Sequence, residues 1–399
     1  MPKVISSRSA LILIVIAQFL GTSLWFAGNV AAPDLEIMLG TSGMVSWITS
    51  AVQLGFIVGT FLYAYGSVAD RYAPSAVILY SALLAATFNF LLTLFPLSLI
   101  SVLGFRFLVG FFLAGIYPVG MKIAADYFEK GLGAALGFLV GALVLGTAFP
   151  FLIKAMGADL SWELILWTTS ILALVGGVMV GIFVPSGPFR KANSIVDWGL
   201  LPKLAKLKPL QGAATGYFGH MWELYTFWAF LPFLIQDLRN EVVIGEQNSL
   251  LTFIIISIGG VFCAIGGLIS GKIGSERVAL FSLIGSGICG ILLILFPEIP
   301  SFLILPFLLI WGILVISDSP QFSTLIAQSV APEHRGTALT IVNSIGFGLT
   351  IVSIQFSQFL SNLFLPSQIL GWLAIGPILG VIGYWYFRRI SISSTQNMH

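Results

Sequence analysis

The chain has 399 residues, of which 58% are hydrophobic and only 9% are charged, and its mean hydropathy is +1.02. A soluble domain carries roughly a quarter charged residues, so this composition excludes a soluble enzyme and a disordered chain and indicates a protein of the lipid bilayer. A net charge of +2 gives no basic excess for binding nucleic acid. Cys263, Cys289 and the three histidines show no metal-ligand spacing. We therefore expect no metal, no cofactor and no enzymatic activity.

Twelve apolar runs follow one another along the chain, each close to the ~20 residues that a helix needs to cross a hydrocarbon core of ~30 Å. Charged residues and Pro/Gly clusters separate them. No ten-residue alternation typical of a membrane barrel occurs, so the sequence predicts an all-α membrane protein of twelve transmembrane helices. The predicted spans lie near 9–32, 43–66, 74–95, 97–121, 131–154, 162–184, 209–235, 247–271, 276–295, 300–329, 335–361 and 366–387.

The basic residues predict the orientation of these spans. With twelve spans both chain ends lie on one side, and fifteen of the eighteen lysines and arginines fall on that side. Short loops rich in Lys and Arg stay in the cytoplasm. We therefore expect a multi-pass protein of the cytoplasmic membrane with both termini in the cytoplasm.

The chain divides into two similar halves. The longest hydrophilic stretch, 185–208, predicts an N-terminal bundle over 1–184 and a C-terminal bundle over 209–399, each with six spans. Gly115-Ile116-Tyr117-Pro118 in span 4 has a counterpart in Ser317-Asp318-Ser319-Pro320 in span 10. Parallel halves related by an axis along the membrane normal are a transporter architecture, with the site between them at mid-membrane.

Two short motifs carry a resemblance to a known family. Gly66-Ser67-Val68-Ala69-Asp70-Arg71 resembles the G-x-x-x-D-R signature that the major facilitator superfamily has between spans 2 and 3, although Ala73-Pro74-Ser75 stands where basic residues usually follow. Arg106-x-x-x-Gly110 resembles the arginine motif of its fourth span. The resemblance covers essentially the whole chain. It implies two pseudo-symmetric six-helix bundles, alternating access, a small-molecule substrate and a protein that acts as a monomer.

The resemblance also implies a cytoplasmic gate. In the family, the aspartate that corresponds to Asp70 meets the start of span 11, here near Arg335, when the transporter is closed inside. The arginine that follows it, here Arg71, would pair with an acid at the end of span 4, for which Asp126 is the candidate. A carboxylate at a helix N-terminus gains about 0.3–1 kcal/mol from the helix dipole. The alternative is a loop of the positive-inside kind with an ordinary helix cap.

Four strongly polar ionisable residues lie well within the predicted spans: Arg106, His220, Glu223 and Asp318. Each charged one costs roughly 2.5–3.5 kcal/mol at a helix centre, so such residues face a cavity or a partner. One interpretation is that Arg106 binds an anionic group while Glu223 or Asp318 exchanges a proton, with His220 or Arg106 as the cationic partner of Glu223. The structural alternative is that these groups pair to hold helices together. His220 could titrate near neutral pH or act as a neutral hydrogen-bonding group.

Further polar and aromatic residues at mid-span depth are candidates for the lining of a central cavity. Aromatic residues in spans are more often packing residues, so each alone is weak evidence. The candidates are Trp25, Gln53, Trp222, Tyr225 and Asn343.

Our leading hypothesis is a secondary active transporter that moves a small polar or anionic organic solute by alternating access, coupled to protons in symport. The first alternative is efflux of amphipathic cations or drugs, which Glu223 and Asp318 would attract. Arg106 discriminates between the two, because an arginine that faces the cavity without a partner disfavours cations. A transport-inactive sensor or scaffold on the same fold is the more distant alternative.

Overall fold

The computed structural model describes residues 5–128, 131–157, 160–190, 199, 201–239, 246–331 and 334–396, so part of the predicted linker, 191–198 and 200, lies outside the described residues. The described chain is helical and contains no strand, which confirms the prediction of an all-α protein. Its eighteen α-helices, numbered α1 to α18 in chain order, are Ser7–Thr22, Ala27–Leu39, Met44–Tyr65, Val68–Arg71, Pro74–Leu91, Leu99–Leu113, Tyr117–Tyr127, Leu132–Ala155, Trp162–Phe183, Leu201–Leu204, Lys208–Leu238, Glu246–Ile273, Ser275–Leu295, Ser301–Ser317, Ser319–Gln328, Arg335–Leu360, Pro366–Gly371 and Ile375–Gln396.

Eleven of the twelve predicted spans coincide with helical segments that are long and apolar enough to cross a membrane. The exception is span 7, which is α11. At 31 residues α11 is long enough to cross, but it falls short of the mean hydropathy of the other eleven. Its buried length carries Thr226, His220 and Glu223 among apolar and aromatic residues. These polar groups need internal partners or a cavity, because lipid satisfies none of them.

Two spans extend further than the sequence predicted. Span 1 was predicted to end at residue 32 and span 4 at residue 121, whereas α2 continues to Leu39 and α7 to Tyr127. Hydropathy marks the apolar core and not the helix end. The polar continuation of α2 has a role of its own, since Glu36 accepts the backbone N–H of Met44 at 2.7 Å and so caps the start of α3.

Three spans are interrupted near the middle of the membrane. Span 1 breaks between α1 and α2, span 4 between α6 and α7, and span 10 at Asp318 between α14 and α15. The breaks in spans 4 and 10 fall within the repeated motif noted in the sequence. In both, a proline occupies the first turn of the helix that follows, Pro118 in α7 and Pro320 in α15. The repeat is therefore a structural one, because proline has no N–H to continue the preceding helix.

Successive spans alternate in direction, so the start of α1, the short helix α4 and the end of α18 lie at one membrane face, here called the terminal face. The other is the opposite face. The main contacts between the N-terminal and C-terminal bundles are made by two helix pairs, α8 with α12 and α3 with α16, and α8 also touches α15 and α3 also touches α11. Between α8 and α12 the backbones touch: a Cβ at Gly141 would lie 2.7 Å from the carbonyl oxygen of Gly260. Side chains at these positions would force the two helices apart.

Candidate functional site

Six aromatic rings meet where the two bundles face each other. We call them the aromatic cluster: Trp25, Phe26 and Phe56 from the N-terminal bundle, with Tyr225, Trp228 and Phe347 from the C-terminal bundle. All six are at most 5% exposed. The centroids of Trp25 and Tyr225 lie 5.7 Å apart and those of Phe56 and Phe347 lie 4.6 Å apart. The cluster thus contains two predicted lining residues, Trp25 and Tyr225, and joins spans 1, 2, 7 and 11.

The break in span 1 places two of these rings. The α-helix ends at Thr22 and begins again at Ala27. A turn connects the two segments, in which the Trp25 N–H donates to the Thr22 carbonyl at 2.9 Å. The carbonyl groups of Leu24 and Trp25 lose their helical partners there. A buried backbone carbonyl must find another donor, and Arg106 supplies it.

Arg106 is fully buried and holds the broken backbone. Its Nη2 donates to the carbonyl oxygens of Leu24 at 2.8 Å and Trp25 at 2.9 Å. Its Nη1 donates to Asn89 Oδ1 at 2.7 Å. Gly28 makes room for the side chain, since a Cβ there would lie 2.7 Å from Arg106 Nε. Both terminal nitrogens of Arg106 are therefore bonded inside the N-terminal bundle, and its Nε has no partner among the described residues. The anion-binding interpretation required an arginine whose terminal donors face the cavity, which is not the arrangement found.

Asn89 extends this network through the N-terminal bundle. Its Nδ2 donates to the Leu166 carbonyl at 2.9 Å, to Thr169 Oγ1 at 3.2 Å and to Ser170 Oγ at 2.9 Å, all on α9. Among the described residues, no carboxylate lies within ion-pair distance of Arg106. Arg106 is hydrogen-bonded to neutral groups only. Its positive charge, which lies next to the backbone of Trp25, therefore has no counter-charge within ion-pair distance in the described chain.

A second polar group lies within the C-terminal bundle. His220 Nδ1 on α11 lies 2.7 Å from Asp318 Oδ1, and both side chains are at most 1% exposed. Asp318 stands at the break in span 10, where its backbone carbonyl accepts the N–H groups of Gln321 and Phe322. The ring of Tyr217, one turn before His220 in α11, lies 5.8 Å from the imidazole. The pair joins spans 7 and 10, as the structural interpretation of these charges also allowed.

Glu223 lies one turn beyond His220 on α11 and has different partners from those expected. Ser286 Oγ on α13 donates to Oε2 at 2.7 Å, and Trp311 Nε1 on α14 donates to Oε1 at 2.6 Å. The expectation that His220 or Arg106 pairs directly with Glu223 is corrected here. Arg106 is bonded inside the other bundle, and His220 pairs with Asp318. Glu223 and Asp318 thus have separate partners, although both lie in the C-terminal bundle.

Three polar side chains of, or next to, the aromatic cluster have no hydrogen-bond partner within the described part of the chain. They are Trp25 at Nε1, Trp228 at Nε1 and Gln53 at both Oε1 and Nε2. Gln53 is fully buried and lies one turn from Phe56 on α3. More than nine in ten buried polar groups in proteins are bonded. Buried polar atoms without a partner also occur elsewhere in the described chain, Trp222 Nε1 and Arg106 Nε among them, but these three side chains lie where the bundles meet and are therefore candidates for binding a solute between them.

The other two predicted lining residues lie near the edge of this region. Asn343 is one turn before Phe347 on α16, toward the terminal face, and its Oδ1 is buried without a partner among the described residues. Trp222 lies elsewhere: its ring packs 6.2 Å from that of Phe356, and its backbone carbonyl accepts Ser353 Oγ at 2.6 Å. Trp222 thus packs against α16 within the C-terminal bundle and away from the aromatic cluster.

The residues of the expected gate lie at the terminal face. Ser67, after Gly66, has a positive φ of 48° at the turn from α3 into α4. Asp70 Oδ1 lies 2.5 Å from Lys122 Nζ on α7. Arg71 is exposed and, among the described residues, makes no ion pair with Asp126, which corrects the expected pair.

Charged groups other than Arg71 surround Asp126. The Asp126 carboxylate is buried near Lys122 and Arg190, and its backbone carbonyl accepts the Phe189 N–H at 3.0 Å. Arg190, after α9, also donates to the carbonyl oxygens of Asp70 at 3.0 Å and Tyr72 at 2.8 Å. At the start of α16, Arg335 Nε donates to the Ala327 carbonyl at 3.0 Å. The basic side chains near Asp126 are therefore Lys122 and Arg190 and not Arg71.

At the opposite face, four residues join the bundles in a way that sequence reasoning missed. Ser46 Oγ donates to Gln358 Oε1 at 2.8 Å. Gln355 Nε2 donates to Ser50 Oγ at 2.8 Å and to the Ser46 carbonyl at 3.2 Å. We call these four residues the opposite-face link. Two glutamines three residues apart near the end of an apolar span were the available signal, and the search for ionisable groups passed over them. The same search passed over Asn89, Ser286 and Trp311.

Comparison with known proteins gives a family and several relatives. The profile described as Major Facilitator Superfamily matches residues 14–354. The chain is 24% identical over 332 residues to the uncharacterized MFS-type transporter YceJ of Bacillus subtilis (strain 168), which is 80% of each chain.

Two further relatives from Escherichia coli (strain K12) match about half of this chain. The probable galactarate/D-glucarate transporter GarP is 24% identical over 222 residues, covering 49% of this chain and 46% of its own. The 3-(3-hydroxy-phenyl)propionate transporter is 27% identical over 186 residues, covering 45% and 44%. The chain therefore spans less than half the length of these two relatives.

Solved structures share the fold. A bacterial homolog of the human lysosomal transporter Spinster, in an inward-facing and unoccupied conformation, superimposes with a TM-score of 0.73 at 13% identity, covering 96% of this chain and 97% of that one. The proton:xylose symporter XylE, bound to 6-bromo-6-deoxy-D-glucose, gives 0.72 at 14% identity, covering 96% of each. At such identities the likeness shows the fold alone.

Proposed function

This chain belongs to the Major Facilitator Superfamily and is a transporter of solutes across a membrane, and we propose that it moves a small polar or anionic organic solute together with protons by alternating access. The observation that carries the proposal is the set of partnerless polar atoms on Trp25, Trp228 and Gln53 where the two bundles meet. A solute bound there contacts both bundles. Binding at that place is what alternating access requires.

The chemistry of the aromatic cluster favours acceptor groups on the solute. Indole N–H groups donate and cannot accept, and Gln53 adds two donors and one acceptor. A full positive charge lies close to these donors, that of Arg106, which is bonded to the backbone of Trp25 itself. A carboxylate or hydroxyl oxygen near these donors gains hydrogen bonds and a favourable field.

The alternative of amphipathic-cation efflux has less support. It needs acids that face the solute, yet Glu223 is bonded by Ser286 and Trp311, and Asp318 lies against His220. An uncompensated Arg106 behind Trp25 repels a cation at the cluster. Nothing in the described chain favours a sensor or scaffold over a transporter.

The proposed proton site is the group formed by His220, Asp318 and Glu223. The three side chains are buried, lie within two adjacent turns of α11 and the break in span 10, and belong to the bundle that also supplies Tyr225 and Trp228. A proton that crosses the full membrane potential gains ~2.3 kcal/mol per 100 mV. Protonation of one carboxyl would relieve its interaction with the other and so alter how α11, α13 and α15 pack.

We further propose the division and orientation of the chain: an N-terminal bundle over 1–184, a linker over 185–208, a C-terminal bundle over 209–399, and a terminal face in the cytoplasm. The opposite-face link then joins the bundles on the outer side, while Asp70 pairs with Lys122 on the inner side. In the alternate state Asp70 would leave Lys122 for the start of α16, near Arg335. The monomer remains our expectation for the functional unit.

The names of two relatives, transporters of a sugar acid and of an aromatic acid, agree with an organic-anion substrate. The test is uptake of a labelled panel of organic acids, sugars and organic cations into proteoliposomes, with and without an inward proton gradient. We expect an organic acid to accumulate only when the gradient is present. Accumulation of cations alone, or accumulation that ignores the gradient, would contradict the proposal.

A further inference from the structure

The rings of the aromatic cluster face one another across the boundary between the bundles. Trp25 lies within 25° of parallel to both Tyr225, at 5.7 Å, and Phe347, at 6.0 Å. Phe26 lies within 23° of parallel to Tyr225 at 6.5 Å. When the bundles separate, as transport requires, these pairs part and expose flat π-faces on both sides of the cleft. A planar ring can replace each lost face-to-face contact, whereas a flexible hydroxylated chain cannot.

The polar atoms at the cluster are limited in kind. Trp25 and Trp228 offer one donor each and Gln53 offers its amide, none with a partner within the described residues. Tyr225 adds a hydroxyl, which can donate or accept. No Lys, Asp, Glu or His is among the six residues of the cluster. A solute that satisfies both kinds of surface has a flat apolar body and a compact acceptor group.

The sign of the charge on that group follows from Arg106. Aromatic faces by themselves also attract organic cations, so the rings alone do not choose between an anion and a cation. The guanidinium of Arg106 is bonded to the Trp25 carbonyl at 2.9 Å and has no carboxylate within ion-pair distance in the described chain. Its uncompensated charge raises the potential at the cluster and favours an anion.

We propose that the aromatic cluster selects aromatic carboxylates, with the ring of the solute stacked between Trp25 and the rings of the C-terminal bundle and the carboxylate accepting from the two indole N–H groups and Gln53. This inference rests on the proposed function and deepens it, since it names a substrate class within the organic anions. Trp25 contributes both a stacking face and a donor, so it is the main specificity residue.

The test is equilibrium binding to the purified full chain in lipid nanodiscs, with two acids of equal charge and carbon number. 3-Phenylpropanoate is planar in its ring, and 3-cyclohexylpropanoate is not. We expect the aromatic acid to bind at least about ten-fold more tightly, the order of one or two aromatic contacts. Galactarate, an acyclic hydroxylated acid, and phenethylammonium, an aromatic cation, are the competing probes.

Variants of Trp25 separate the two roles of this side chain. Trp25→Phe keeps a ring and removes the N–H, so both propanoates should weaken by about ten-fold or more while the aromatic preference persists. Trp25→Leu removes the ring as well, and the preference should disappear. Trp222→Phe and Trp222→Leu, at a tryptophan away from the cluster, are the matched controls and should leave the preference as in the wild type.

The wild-type measurements decide the proposal even if a variant fails to fold. Equal binding of the two propanoates, or binding of neither, would overturn the aromatic selectivity. Tighter binding of galactarate would overturn it too, while leaving the organic-anion function standing. Binding of phenethylammonium in place of every acid would overturn both the inference and the proposed function.

Discussion

Arg106 on α6 donates from Nη2 to the backbone carbonyl of Trp25 at 2.9 Å, and so an arginine of the fourth span holds the main chain of the first span at the point where that helix is broken. The bond compensates a carbonyl that the break leaves without a helical partner. It also fixes where the Trp25 ring stands. Arg106 is therefore a positioning residue for the aromatic cluster.

The first prediction tests this relationship with a substitution that displaces the Arg106 side chain. In Gly28→Ala the new Cβ would lie 2.7 Å from Arg106 Nε and 2.9 Å from Ile48 Cγ2, so the guanidinium must move. Hydrogen bonds to charged groups are worth about 1.5–3 kcal/mol each. We expect substrate affinity to fall about ten-fold or more and the apparent melting temperature to fall with it, and Arg106→Gln should do the same.

The control for this substitution is Gly348→Ala. Gly348 is also a helical glycine, on α16, but a Cβ there would meet no heavy atom within 4 Å. This variant should bind substrate and melt as the wild type does. If Gly28→Ala behaves like Gly348→Ala in both measurements, the Arg106 contacts do not position the site.

The second prediction concerns Glu223. Glu223→Gln keeps the shape of the side chain and can still bond Ser286 and Trp311, but it no longer titrates. We expect this variant to lose accumulation driven by a proton gradient and to retain exchange at equal substrate concentrations on both sides of a proteoliposome membrane. Ser286→Ala removes one donor to the carboxylate and leaves it titratable, so it should still accumulate substrate, with a shifted pH dependence. Should Glu223→Gln accumulate substrate as the wild type does, Asp318 becomes the next candidate.

The third prediction is a double-mutant cycle on the buried pair of His220 and Asp318. Removal of one partner of a buried ion pair strands the other, which costs about 3–5 kcal/mol, whereas removal of both leaves no buried charge. We expect His220→Gln and Asp318→Asn each to lower the apparent melting temperature by several degrees. The double variant should melt no lower than the worse single variant. Additive losses would show that the 2.7 Å contact contributes no coupling.

The fourth prediction concerns the opposite-face link. Gln355→Ala together with Gln358→Ala removes the hydrogen bonds to Ser46 and Ser50 that join α16 to α3. Each neutral hydrogen bond contributes about 0.5–1.5 kcal/mol, so the loss of all three should raise the population open at the opposite face by about ten-fold or more.

Spin labels at the exposed residues Ser42 and Asn362, one on each bundle, measure this change by double electron–electron resonance once Cys263 and Cys289 are replaced. The double variant should show a larger share of long distances than the parent. Phe359→Ala, which replaces an exposed side chain on the same helix end, is the control. An unchanged distance distribution in the double variant would mean that other contacts close this face.

The fifth prediction concerns orientation. Ser42 precedes α3 at the opposite face and Ser186 follows α9 at the terminal face, and both are exposed. In cells, a cysteine at position 42 should react with a membrane-impermeant maleimide from outside, and one at position 186 should react only after permeabilisation. Reaction of both from the same side would contradict the twelve-span arrangement, and the reverse pattern would contradict the cytoplasmic placement of the termini.

The sequence alone determined the class of the protein and the order of its spans. Crossing a hydrocarbon core demands a local run of apolar residues, which composition reveals without any knowledge of neighbours. The repeat Gly115–Pro118 and Ser317–Pro320 likewise marked two helix breaks, because proline acts on the turn that contains it. The ionisable residues within the spans were also visible, since a charge within a span is costly wherever it points.

The tertiary structure decided the partners of those residues and thereby their roles. Arg106 reaches Asn89 and the backbone of Leu24 and Trp25, and Glu223 reaches Trp311, which is 88 residues away in the chain. A span presents every side of a helix to a different neighbour. The neighbour that satisfies a buried charge is set by how twelve helices pack, and hydropathy carries no information about that packing.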